Sequence, residues 1–561
     1  MTSENRQCQN CRGKFIIEPD DFSFYEKMQS PPPNYCPECR QQRRLAHRNE
    51  RTLYKRPCDL CKESIVSLFS DAAPFPVYCH GCWWSDKWDA RDFGQTYNTK
   101  RSFFEQFAEL QKKVPKLALN ILTSIDSEYT NNAGDNKNCY LIFAAERNED
   151  CLYGRLVHGC KSVMDVSFVY DSELSYECVD CQQCYGCLFA TRCQASIGLL
   201  FCFDLRNCTN CIFSTNLRNQ SYMIENKKYP KEEYEKIKKK ILESSDSLEQ
   251  ARKHFEKIKS QTLVRNVYQT KCVKTTGDYL HNCHTSKMIF DTRNAKDCAY
   301  LADAEDPVDC YDCNNVYYKP KLCLEMMGIL QCYNSKFSSY TFYCSDIDYC
   351  DSCYNLTNSL GCISIKKGQN SILNKEYPKE EYQILREKII ESLKQEGNYG
   401  NFFSPELSPF GYNETLAKEY FPLTKSEAIK SGFQWQDKAT GIFGQETIKS
   451  YMLPSRIEDV PDNFINEIMV CEECSRNFRI TKFELDFYRR MHLPLPRRDF
   501  ECRHQARMCL RTPRKLWHRQ CMCDKKHANH KGRCLMEFET SYAPDRTEIV
   551  YCEKCYQQEV Y

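Results

Sequence analysis

The chain has 561 residues, too many for one core, so several domains are expected. A net charge of +2 excludes a polycation, and any pull on nucleic acid or membrane must come from local patches. Scarce glycine and plentiful aromatic residues argue against a largely disordered chain, which leaves the 39 cysteines as the outlier.

The N-terminus, MTSENRQCQNC, has no apolar h-region, and no apolar run nears the roughly 18 residues of a membrane helix; SIGLLFCF is among the longest. A reducing, cytoplasmic setting with no membrane partner is expected. There, Cys-x-x-Cys pairs read as zinc ligands, with a secreted disulfide protein as the competing reading.

Residues 1–95 are expected to form tandem zinc modules. Cys8, Cys11, Cys36 and Cys39 make one set, and Cys58, Cys61, Cys79 and Cys82 the next. Two knuckles supply the four ligands of tetrahedral Zn²⁺, and such closed sites leave no position for a catalytic water. Metal binding worth roughly 10–16 kcal/mol should hold these modules folded. A helix after Cys39 puts Arg40, Arg44, Arg48 and Arg51 on one face, with Arg43, Tyr54 and Lys55 beside it. Guanidinium groups grip phosphates and rings stack on bases, so this face is a candidate RNA or DNA surface. The alternative is solvation, or pairing with acids such as Glu232, Glu233, Glu380 and Glu381.

After a helical connector (96–130) comes a cysteine-rich middle. Cys139, Cys160, Cys181 and Cys202 recur at an even, 21-residue spacing. Cys181, Cys202, Cys208 and Cys211 return further along, at the same intervals, as Cys323, Cys344, Cys350 and Cys353. Short β-type runs at a period near 20 suggest two β-solenoid repeats, A (131–262) and B (263–396). Each ends in a charged amphipathic helix, NKKYPKEEYEKIKKKI or NKEYPKEEYQILREKII, suited to cover an open rung. Stacked cysteines read as small core fillers, with rung-stapling disulfides as the alternative. Extra metal at Cys178, Cys181, Cys184 and Cys187 is disfavoured if alternation sends them to opposite faces. The acids Asp303, Glu305, Asp306 and Asp309 offer carboxylate pairs for a glycan-active enzyme, but clustered acids more often form a solvated turn. No nucleophile, phosphate-loop or dinucleotide motif is present, and no small-molecule substrate is expected.

A mixed connector (397–465) leads to a second pair of zinc modules (466–561), partly degenerate. The step from Cys11 to Cys39 returns unchanged from Cys474 to Cys502, and the step from Cys61 to Cys79 returns from Cys534 to Cys552. The third site has Cys471, Cys474 and Cys502, with Asp499 or Cys509 as its fourth ligand. The fourth has Cys534, Cys552 and Cys555 with Cys521, or failing that Cys523. An insertion adds His527 and His530, either ligands or a solvated loop. Arg503, Arg507, Arg511, Arg514, Lys515 and Trp517 repeat the basic, aromatic pattern of the N-terminus.

CQNCRGKFIIEPDDFSFYEKM…PPPNYCPECRQQRR and CEECSRNFRI…ELDFYRRMHLPLP…ECRHQAR resemble the zinc-ribbon, treble-clef-like domains of uncharacterised bacterial proteins. The resemblance covers the two ends only. It implies zinc and a helix opening near Cys39 and near Cys502, and it implies no reaction. The expectation is a multidomain, mainly β, non-catalytic protein with about four Zn²⁺. Terminal treble-clef or zinc-ribbon modules flank two solenoid repeats and present basic surfaces to nucleic acid. The alternative is a scaffold for protein partners.

Overall fold

The computed structural model describes residues 2–304, 311, 314–317, 324–330, 335–438, 441–528 and 530–561. Glu305, Asp306, Asp309, Cys323 and Cys332 lie outside the described residues, as does the side chain of Asp303. The protein is multidomain and mixed, with many short strands and with cysteine groups at both ends. Among the described residues, no helix is long and apolar enough to cross a membrane.

The middle is built on a shorter step than the even spacing of its cysteines suggests. An 11-stranded sheet runs from Ile121–Leu122 to Lys227–Lys228, each strand paired with its neighbours in sequence. All but its last pair are parallel: Arg155 lies opposite Ser167, Ser167 opposite Val179, and Leu188 opposite Leu200. The register is a constant 12-residue step, and side chains keep it too: Cys160 N–H donates to Asn148 Oδ1 one step back. From Arg147 to Glu225 every third residue has positive φ, between 48° and 66°. The chain therefore takes a left-handed corner four times per step.

Left-handed backbone is costly for most L-residues and easiest for Gly, Asn and Asp. Asp150, Asp165, Asp171, Asp180, Asp204, Asn207, Asn210, Asn216 and Asn219 all stand at corners. The remaining corners, Phe168 and Phe201 among them, are held by ladder hydrogen bonds on both sides. At Leu174, for example, the N–H donates to Lys161 O at 3.1 Å, while Tyr176 N–H donates to Cys187 O at 2.9 Å.

The residue after each corner faces the interior. Cys139, Ile142, Cys151, Cys160, Val163, Val166, Val169, Cys178 and Cys181 belong to one buried cluster. Four inward side chains per step leave little room, which favours small apolar groups. Cysteine fits and also satisfies a carbonyl: the thiols of Cys178 and Cys181 donate to Cys187 O and Ala190 O at 3.4 Å, three triplets ahead. Cys160 and Cys181 are thus not stacked neighbours. Their separation is one full step plus three more triplets, and the pairs one step apart are Cys139 with Cys151 and Cys181 with Cys193. Cys178, Cys181, Cys184 and Cys187 occupy four successive interior positions rather than opposite faces, and all are buried.

A second parallel ladder follows, six strands from Val273–Asp278 to Ser339–Phe342 and four from Ser345–Asp348 to Lys375–Glu376. Each ladder closes with an antiparallel strand and a helix, Lys231–Leu242 or Lys379–Gln395. Tyr234 and Tyr382, at matching places in the two YPKEEY segments, are both buried.

The chain ends dock crosswise. Around the N-terminal modules, Phe24 stacks on Tyr311 of the second ladder at 3.7 Å and Tyr300 OH reaches Asp21 at 3.4 Å. At the other end, Phe500 stacks on Tyr153 of the first ladder at 5.6 Å and Tyr153 OH donates to Glu484 at 2.7 Å. Arg40 over the Tyr300 ring (5.2 Å) and Arg503 over the Tyr153 ring (5.1 Å) complete one contact made twice.

Candidate metal centres

One local design recurs four times. The first knuckle sits at the turn of a short antiparallel hairpin: Glu4–Gln7 with Lys14–Ile17, Tyr54–Pro57 with Ser64–Ser67, Met469–Val470 with Asn477–Phe478, and Trp517–Gln520 with Glu537–Thr540. In the first three, a left-handed residue (Arg12, Lys62 or Ser475) follows the second cysteine and turns the chain back. The second knuckle opens a helix. Cys36, Cys79, Asp499 and Cys552 are the N-caps of Pro37–Leu45, His80–Trp84, Phe500–Met508 and Glu553–Val560. A helix N-terminus favours negative charge, which suits a thiolate there.

The ligand atoms of Cys8, Cys11, Cys36 and Cys39 lie within 4.8 Å of one another, as do those of Cys58, Cys61, Cys79 and Cys82. Sγ–Sγ separations of 3.7 Å (Cys11–Cys36) and 3.9 Å (Cys61–Cys79) match the edge, about 3.8 Å, of a tetrahedron with Zn–S near 2.3 Å. Backbone N–H groups aim at the sulfurs: Cys36 N–H at Cys8, Cys79 N–H at Cys58 and Cys552 N–H at Cys521, at 3.2–3.3 Å. Burial raises the Cys58 thiol, but N–H donors from Cys79, Cys61 and Leu60 outweigh it and bring the group down to about 6. The same balance brings Cys8 to about 7. Within each set the shifts oppose one another, since the Cys39 side chain raises Cys36 and burial raises Cys82; metal binds the thiolate form of all four.

At the third site Asp499, not Cys509, joins Cys471, Cys474 and Cys502. Its carboxylate accepts the Cys502 N–H at 2.8 Å and lies 3.2 Å from Cys474 Sγ. Aspartate is among the best N-caps, so it can replace the cysteine of this position without disturbing the helix start. Cys509 is exposed at the opposite end of that helix. At the fourth site Cys521 completes the set with Cys534, Cys552 and Cys555. Cys523, His527 and His530 gather into a fifth group that includes Cys555. Sequence spacing supplied these three only as substitutes or additions for the fourth site; the signal missed was three spare ligands in one insertion.

The arginines are where the expectation of a phosphate-facing surface fails. Arg40, Arg44, Arg48, Arg503, Arg507, Arg511 and Arg514 are all buried. Arg40 and Arg44 reach Glu325 at 3.7 Å, and Arg48 meets Glu50 at 2.6 Å. Arg503 and Arg507 share Asp165 at 2.8 and 2.9 Å. Arg511 contacts Asp180 at 2.9 Å and Asp291 at 2.5 Å, with Arg514 on Asp291 at 2.7 Å. The helices are shorter than expected: Pro37–Leu45 carries Arg40 and Arg44 but ends before Arg48 and Arg51, and Phe500–Met508 carries Arg503 and Arg507 but ends before Arg511 and Arg514. All but Arg48 of these buried arginines are turned onto acids of the ladders. Asp165, Asp180 and Asp291 all occupy left-handed corners.

Four other members of the expected surface are also engaged. Arg51 pairs with Glu501 and with Glu419 (3.6 Å), and Arg43 donates to Phe403 O at 2.6 Å. Tyr54 OH donates to Glu414 at 2.5 Å, and Lys515 pairs with Glu38 at 3.2 Å. Lys55 is exposed and Trp517 half-buried. The suggested neutralising acids Glu232, Glu233, Glu380 and Glu381 are exposed on the two closing helices and take no part in these pairs.

Between the two ladders lies a cleft of about 470 Å³, lined by Trp84, Leu122, Tyr340, Phe342, Tyr343 and Tyr354 among others. Trp84, Leu122 and Tyr343 are 38%, 48% and 48% exposed, so its rim is an open apolar patch. Compared with protein-family models and with curated proteins, the chain matches none.

Proposed function

We propose that this is a non-catalytic zinc protein whose terminal modules are structural clamps, locking two β-solenoids of short, four-cornered coils into a rigid scaffold for protein partners in the cytoplasm. The observation that carries the reading is the inward turn of the arginine faces. Buried and paired with carboxylates, these side chains are spent on holding the modules to the ladders. The closed ligand sets, three of four cysteines and one of three cysteines with an aspartate, support structural rather than catalytic zinc. The hairpin, knuckle and helix at each site suit the zinc-ribbon, treble-clef-like resemblance. The aromatic cleft supports the scaffold role, because an exposed apolar patch with a polar surround is a common mark of a protein interface.

Nucleic-acid binding is the alternative, left with few candidates beyond Lys55, Lys515 and Trp517. A salt titration separates the two. A protein contacting six to ten phosphates loses about 10³–10⁵ in affinity between roughly 50 and 200 mM salt. The scaffold reading expects no such loss with duplex DNA or single-stranded RNA. It also expects partners cross-linked at the cleft rim in cells to disappear with Trp84→Ala and Tyr343→Ser. Steep salt dependence with an unchanged partner set would overturn it.

A further inference from the structure

We propose that the last module holds two metal ions, bridged by the thiolate of Cys555. The proposal rests on reading the terminal cysteine groups as zinc sites and goes beyond it in number and connectivity. Cys521, Cys534, Cys552 and Cys555 form one set of four; Cys523, His527, His530 and Cys555 form another, each with its ligand atoms within 4.8 Å of one another. The sets share Cys555 alone. Seven side chains then fill eight positions, four around each of two tetrahedral ions, provided that one sulfur bridges.

The histidines are oriented for this role. His530 Nε2 lies 3.1 Å from Cys555 Sγ, while its Nδ1 faces Gly532 O at 2.7 Å. His527 Nδ1 lies 3.7 Å from Cys523 Sγ, while its Nε2 faces the Glu559 carboxylate at 2.8 Å. In both rings an outer acceptor takes the N–H, fixing the tautomer and aiming the other nitrogen's lone pair at the sulfurs. Metal-binding histidines are held in this way. A solvated histidine loop would have no reason to place both acceptors.

Charge favours the pair as well. Four thiolates on one Zn²⁺ leave a net −2, whereas five thiolates and two neutral imidazoles on two Zn²⁺ leave −1 for the whole cluster. With Zn–S near 2.3 Å, ions sharing one sulfur sit at most about 4.6 Å apart, which two adjoining tetrahedra allow.

The test uses the full chain, prepared reduced and loaded first with zinc, then with cobalt(II). Elemental analysis is expected to give five ions in the wild type and four in the His527→Ala, His530→Ala double variant. Two cobalt ions on one bridging thiolate couple antiferromagnetically. The wild type should therefore show a smaller magnetic moment per cobalt than the double variant. Four ions in both proteins, or five with no coupling, would overturn the bridged pair alone. No stoichiometric metal in either would overturn the zinc reading itself. Should the double variant not fold, the ion count and moment of the wild type still decide.

Discussion

Asp165 takes two guanidinium groups at once, and none of the three side chains is more than 3% exposed. Asp165→Asn keeps the shape and, because asparagine tolerates left-handed backbone, the corner as well. It leaves two buried cations beside a neutral amide, and removing one partner of a buried pair costs about 3–5 kcal/mol. The urea midpoint should fall accordingly at unchanged metal content; a shift below about 1 kcal/mol would mean the pairs are solvated in solution. Glu484, beside the same arginines, behaves differently. Burial pushes its carboxyl up to about 7, although Arg503, the Thr481 N–H and the Tyr153 hydroxyl pull the other way. The folded state then holds a proton that the unfolded state, near 4.5, has released. Stability is therefore lost as pH rises from about 4.5 to 7. Glu484→Gln should gain on the wild type by on the order of 3 kcal/mol between about pH 5 and 8. Parallel stability curves for the two proteins would contradict this.

At the scale of elements, the left-handed third residue governs both ladders. Asn207 is an exposed corner with φ 53°, and its amide donates to Asn219 at 3.2 Å, one step on. Asn207→Val should cost about 1–2 kcal/mol in thermal denaturation, while Asn207→Gly should cost far less. Equal costs would argue against the corner. The triplet was legible in the sequence. Counting from Cys139, the first residues of successive triplets read Cys, Ile, Ala, Asn, Cys, Gly, Val, Cys, all small or apolar. Cysteine alone hides it, because it fills only some interior positions, and seven triplets separate the evenly spaced cysteines where four make one register step. The knuckles were legible for a different reason: a tetrahedron demands its ligands at fixed intervals, and the hairpin and helix that supply them are local. Asp499 could be ranked above Cys509 from N-cap chemistry. The direction of the arginine face could not be read, since periodicity assigns residues to one side of a helix but does not say what lies opposite.

For the molecule as a whole, crosswise docking joins ends to middles. Glu50, beside the N-terminal modules, also meets Arg155 of the first ladder at 2.9 Å, and Asp291 of the second ladder meets Arg514 near the C-terminus. Each ladder therefore touches both ends of the chain. A protease site inserted at the exposed Ser260–Gln261 turn, between the ladders, should yield two fragments that elute together at neutral pH. Stripping the metal should release them, because the helices carrying the clamping arginines begin at the knuckles. Fragments that part while still loaded with metal would contradict the clamp.

The reach of the contact between Arg44 and Glu325 sets a timetable for synthesis. Half the length of the chain lies between the two, so the N-terminal module leaves the ribosome long before its acid exists. At about 5–20 residues per second that interval is roughly 15–60 s. Through it the nascent module can take up metal but not its final seat, with a row of cations facing water. A newborn chain of this protein should be most open to chaperones, and to polyanions, during that minute, and to neither once translation ends.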